Sequence, residues 1–135
     1  MELFNFLDPN AKKISNITSS GLIDIKSLEN RFFKDPDFLK EMLSNYVITS
    51  NNCLEEMKLA ARNQNPSILA NSCHKLLGST LNFSNGYIAR YLEDIEFNAR
   101  EEKKIIVSVE ELNKLEETIK MLQDQISELA NSWSE

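Results

Sequence analysis

Glycine and proline are scarce here, three of each in 135 residues. Neither sits well inside a helix, because proline lacks an amide donor and glycine loses the most backbone entropy on folding. Their scarcity leaves room for long uninterrupted helices. Histidine is scarcer still, with one residue at position 74, and the cysteines are Cys53 and Cys73 alone. One imidazole and two thiols without paired spacing fall short of the four ligands of a structural zinc site, so no metal is expected. Both thiols lie on apolar stripes and read as buried free cysteines. No run approaches 18 apolar residues, which argues against a membrane-spanning helix. The net charge is -6 and no run of five like charges occurs. The concentrated basic surface that nucleic acid demands is therefore missing. The N-terminus, MELFNFLD, has neither a basic nor a long apolar segment, so no secretory leader is expected and a cytoplasmic location follows. Asn16-Ile17-Thr18 then matches a glycosylation sequon by chance.

What is present suffices for one domain. With 41% hydrophobic residues the chain can bury a core, since a chain of this size removes roughly two-thirds of its unfolded surface from water. Residues 1–20, rich in Asn, Ser and Lys, read as a flexible arm with a short apolar anchor at Leu3, Phe4, Phe6 and Leu7. A helical bundle is expected over 21–135. Its first helix runs from about Asp24 to Phe33, with Ile25, Leu28 and Phe32 at helical spacing. Asp35-Pro36 and Asn65-Pro66 each place a capping side chain before a proline, the signature of a helix start. The second helix then extends to about Arg62 and the third covers Pro66 to Leu81. Ser84-Asn85 is expected to begin a fourth, with Ile88, Tyr91, Leu92 and Ile95 inward and the charged stretch Arg100 to Lys104 closing it.

Ser108-Val109-Glu110-Glu111 is a capping box. Behind it Leu112, Leu115, Ile119, Leu122, Ile126 and Leu129 alternate spacings of three and four. Such a seam suits a long helix packed at a shallow angle, and three heptads can also support a coiled-coil dimer. No segment alternates with period two; Ile105-Ile106-Val107 is β-branched but too short for a strand. The pattern predicts an all-α fold, an antiparallel four-helix bundle with an extra short N-terminal helix.

Successive helical residues lie about 100° apart. On the third helix Leu69, Cys73, Leu76 and Thr80 then form the core stripe, and His74 stands roughly 120° from its centre. Gly78 lies one turn along, beside His74, with Ser67 and Asn71 on the same outer face. A glycine at an exposed helical position costs about 1 kcal/mol relative to alanine. The physical return is clearance, because a chain without a Cβ there lets another protein approach the imidazole. A lone exposed histidine is also an ordinary surface residue, and on geometry alone that is the favoured reading. No acid is obviously placed to orient His74, and Cys73 points away from it, so neither a hydrolytic triad nor a Cys-His dyad is expected.

Ser72-Cys73-His74-Lys75-Leu76-Leu77-Gly78-Ser79-Thr80 resembles the signature of the histidine-containing phosphotransfer (HPt) family. That signature is a histidine, usually a lysine three later, a glycine four later, then two small residues. Phe83, Ser84 and Asn85 stand at the family's apolar-Gly-Ala step, and Ile88, Tyr91, Ile95 and Glu96 follow its next helix. Asp37 to Leu43 is similar to the opening of its second helix, and the resemblance covers about residues 22–130. Two positions depart: Leu77 replaces the lysine thought to neutralise phosphoryl oxygens, and Ser84 replaces the glycine.

The resemblance implies reversible phosphoryl transfer between His74 and aspartates of response-regulator receiver domains in a two-component phosphorelay. Lys75, Gly78 and Ser79 are then expected to stabilise or clear the phosphoryl group, and Asn71, Leu77, Leu81 and Phe83 to dock the partner; core packing is the competing reading for the last three. Receiver domains and a hybrid histidine kinase are the implied partners, and Mg²⁺ is expected on the receiver, with no cofactor on this chain. Without a glycine-rich nucleotide site the chain is a phosphocarrier and not a kinase by itself, and it is expected to be a monomer. The loss of the lysine keeps a second reading open, an HPt-like protein that docks a receiver or kinase and inhibits it without transfer.

Overall fold

The computed structural model describes residues 23–134, so the arm expected over 1–20 lies outside the described residues. Five α-helices and no strand occur among them. They are α1 (Ile25–Phe32), α2 (Pro36–Arg62), α3 (Pro66–Thr80), α4 (Tyr87–Arg100) and α5 (Val109–Trp133). None is long and apolar enough to cross a membrane.

Four of the five helix starts use the local chemistry expected. The side chains of Asp24, Asp35 and Asn65 accept hydrogen bonds from the amides of Ser27, Phe38 and Ile68. Pro36 and Pro66 follow two of these caps, where the missing N–H has no intrahelical partner to lose. The Ser108 hydroxyl accepts from the Glu111 amide while the Glu111 carboxylate accepts from the Ser108 amide, closing the capping box. The fourth helix departs from expectation. It begins at Tyr87 behind Gly86, which has no side chain to cap it. Ser84 cannot start it because its own amide still bonds the Thr80 carbonyl, finishing the previous helix.

Helix α3 packs against α2 on one side and α4 on the other, and α2 also packs along α5. Leu69, Cys73, Leu76 and Thr80 are wholly buried, as their stripe requires. Ala70, Ser72 and Leu77 are buried as well, because a helix flanked on two sides hides a wider face. Side chains tie the layers together. Thr80 spends its proton on the Leu76 carbonyl, so the Tyr46 hydroxyl donates to Thr80 across α2 and α3 at 2.9 Å. Lys58 pairs with Glu116 at 3.0 Å, and Gln123 donates to Ser50 at 2.9 Å, both joining α2 to α5.

Along α5, Leu112, Leu115, Ile119, Leu122 and Ile126 are at most 1% exposed, so the seam is buried within the chain. At its end Leu129 is only half-buried and Ala130 takes the inward place. A straight helix of 3.6 residues per turn drifts about 20° per heptad off a 3.5-residue repeat, and by the third heptad the drift amounts to about half a position, enough to bring Ala130 inward. Leu122→Ala is expected to lower the unfolding free energy by about 2–5 kcal/mol, and Ser108→Ala by about 1 kcal/mol. Urea titration of both variants with an unchanged slope checks the ordering.

Candidate functional site

Helices α3 and α4 are joined by a hydrogen bond below the surface. The Cys73 thiol donates to the Leu92 carbonyl at 3.1 Å. One residue on from Cys73 and one turn on from Leu92, His74 meets Glu96. The imidazole Nδ1 lies 3.0 Å from Glu96 Oε2 and 3.2 Å from Oε1. Glu96 Oε2 also accepts from Arg100 at 3.2 Å, one turn further along α4. A second nitrogen of the same guanidinium reaches the Asn71 side-chain oxygen on α3 at 3.3 Å. Imidazole, carboxylate, guanidinium and amide thus run in a chain across the α3–α4 surface.

The His74 side chain is 69% exposed, whereas the Glu96 side chain is 17% exposed. The carboxylate is therefore the anchored partner and the imidazole the presented one. A carboxylate can only accept, so in the neutral ring the proton sits on Nδ1 and the lone pair on Nε2. Nε2 is left as the nitrogen that the carboxylate does not hold. The expectation that no acid orients His74 is corrected by Glu96. Its pairing depends on how α3 and α4 are set against each other, which the spacing within either helix does not carry.

The remaining expected residues divide. A Cβ built on Gly78 would meet nothing within 4 Å, so the space beside His74 is open. Asn71 is exposed and engaged with Arg100, whereas Ser79 is half-buried and, five residues on from His74, stands about 140° around the helix from it. Leu77 is 9% exposed and its edge lines the cleft that holds His74. Leu81 is 37% exposed, the apolar rim residue that reaches solvent. Phe83 follows the core-packing reading and not the docking one: it is 2% exposed. It stacks on Phe32 at 5.8 Å and on Tyr46 at 5.1 Å between ring centres, locking α1 onto the α3–α4 turn. Arg31 reinforces that lock by donating to the carbonyls of Leu81 and Asn82. Lys75 lines a different groove, with Glu56, Leu59 and Ile68 on the α2 side of α3.

The cleft around His74 also contains Glu93, Asp94, Phe97, Arg100 and Glu101. Both cysteines are buried, and burial pushes both thiols above their ordinary range, so neither is a nucleophile. Among the described residues no group of three or more His, Cys, Asp or Glu side chains could hold a metal ion. No family model, curated protein or solved structure matches the chain.

That geometry makes two expectations. In ¹⁵N NMR spectra of neutral His74 the wild type should show protonated Nδ1 and unprotonated Nε2. Glu96→Ala should move the population toward protonated Nε2. Separately, Gly78→Ala should raise the unfolding free energy by up to about 1 kcal/mol, because the methyl meets open space and helix propensity alone acts. A denaturant midpoint shifted upward checks it.

Proposed function

We propose that the chain is a histidine phosphotransfer protein that carries a phosphoryl group on Nε2 of His74 between receiver-domain aspartates. The observation that carries the reading is an exposed imidazole whose Nδ1 is held by a more deeply set carboxylate. Open space at Gly78 and the HPt-like sequence around the histidine support it. In this proposal α2 to α5 form an antiparallel four-helix bundle with α1 as the extra short helix. The short connections and the packing of α3 between α2 and α4 favour that arrangement.

The chemistry needs little from this chain beyond presentation. The Nε2 lone pair attacks phosphorus of the receiver's aspartyl phosphate. The N–P bond forms, the P–O bond to the acyl oxygen breaks, and the aspartate leaves as a carboxylate. Nδ1 keeps its proton, so the ring becomes a phosphoimidazolium whose positive charge Glu96 offsets. No base has to remove a proton. Reversal returns the group to the same or another aspartate, with Mg²⁺ supplied by the receiver. Kinase partners and a cytoplasmic location belong to the same proposal.

A second reading has one observation in its favour. Leu77 stands where the resembling family carries a lysine, and it is largely buried. An HPt-like protein that docks a receiver or kinase and blocks it would tolerate that change. Incubation with a phosphorylated receiver domain separates the two. The relay reading expects an acid-labile, base-stable label on the wild type and none on a folded His74→Gln variant. Label persisting in His74→Gln contradicts it. Tight receiver binding by wild type and His74→Ala alike, without label on the wild type, assigns the chain to docking.

A further inference from the structure

We infer that Arg100 supplies the cation for the phosphoryl oxygens, exchanging its contact with Glu96 for the phosphoryl group once His74 is phosphorylated. This rests on the phosphoacceptor role proposed for His74. A phosphoryl group there would arrive in a cleft lined by four carboxylates, Glu93, Asp94, Glu96 and Glu101. Arg100 is the one cation among the described residues lining that cleft. Lys75, adjacent to His74 in sequence, belongs to the groove on the α2 side. Leu77 brings no charge.

Position and flexibility both suit the role. One guanidinium nitrogen of Arg100 and Nδ1 of His74 share a single carboxylate oxygen, at 3.2 and 3.0 Å. The Arg100 side chain is 43% exposed and belongs to the last residue of α4. Its two hydrogen bonds, 3.2 Å to Glu96 and 3.3 Å to Asn71, are long for contacts of a guanidinium. A phosphoryl dianion offers the guanidinium fork a stronger bidentate partner than either.

Charge balance favours the exchange. A ring that attacks phosphorus does so in its neutral form, and Arg100 then offsets the Glu96 carboxylate. After transfer the ring is a phosphoimidazolium, still donating from Nδ1, and it offsets Glu96 itself. Arg100 is then released when a new anion appears beside it. The carboxylate that positions the nucleophile also stores the cation until the phosphoryl group arrives.

The test measures phosphoryl transfer from a phosphorylated receiver to wild type, Arg100→Gln, Arg100→Lys and the double variant Leu77→Lys/Arg100→Gln. Circular dichroism establishes that each is folded. Wild type should take up label, Arg100→Gln should do so at least 10-fold more slowly, and either lysine substitution should recover most of the rate. The lysine stem can cover the apolar ground under Leu77 while its ammonium reaches the cleft. The ¹⁵N tautomer signature of unphosphorylated His74 should be unchanged in Arg100→Gln, which separates charge supply from positioning of Glu96. Unaltered transfer by Arg100→Gln overturns the inference and leaves the phosphoacceptor reading intact. Slow transfer with an altered tautomer and no recovery by lysine overturns it too, reducing Arg100 to a prop for Glu96. Absence of label on the wild type removes the phosphoacceptor reading and this inference with it.

Discussion

Helix α3 is packed on two sides, and that constraint dictates where its histidine stands. Leu69, Cys73, Leu76 and Thr80 must face inward, because each is wholly buried between α2 and α4. Rotating α3 to hide His74 would drive that stripe into water and strand the Tyr46–Thr80 hydrogen bond. The imidazole is exposed because the core leaves it no other direction. The cysteine beside it faces inward and bonds the Leu92 carbonyl where α3 packs on α4. That packing brings Glu96 under the imidazole and carries Arg100 to the next turn.

The site is built at a helix–helix seam, and its parts come from both helices. Histidine, glycine and asparagine lie on α3; the carboxylate and the guanidinium lie on α4. Neither helix alone would hold the ring in one tautomer. On the proposed reading this division suits a carrier. The group that must be reached from outside sits on the rigid central helix, with open space at Gly78 for the approaching partner. The groups that compensate charge sit behind and beside it.

Much of the helical layout was legible in the sequence, because it is written in local chemistry. Asp35-Pro36, Asn65-Pro66 and the Ser108–Glu111 box announce starts that need no tertiary information. The start of α4 was not legible. Ser84 and Asn85 have the composition of a cap, but the amide of Ser84 is taken by the end of α3. Between docking and core packing, Phe83 was left undecided for a related reason. Its burial comes from Phe32 and Tyr46, which approach it from α1 and α2. Glu96 lay beyond reach in the same way: its neighbour Ile95 is a clear core position, yet what stands opposite Glu96 depends on the α3–α4 register.

On the proposed reading phosphorus attaches to one atom, Nε2 of His74. NMR of ¹⁵N-histidine-labelled protein after phosphorylation by a receiver domain tests this most directly. Because the chain has a single histidine, both ring nitrogens can be assigned without ambiguity. Attachment at Nε2 gives ³¹P coupling on that nitrogen, with Nδ1 still protonated. Phosphorus on Nδ1, or label on the chain with no coupling to either nitrogen, would contradict it.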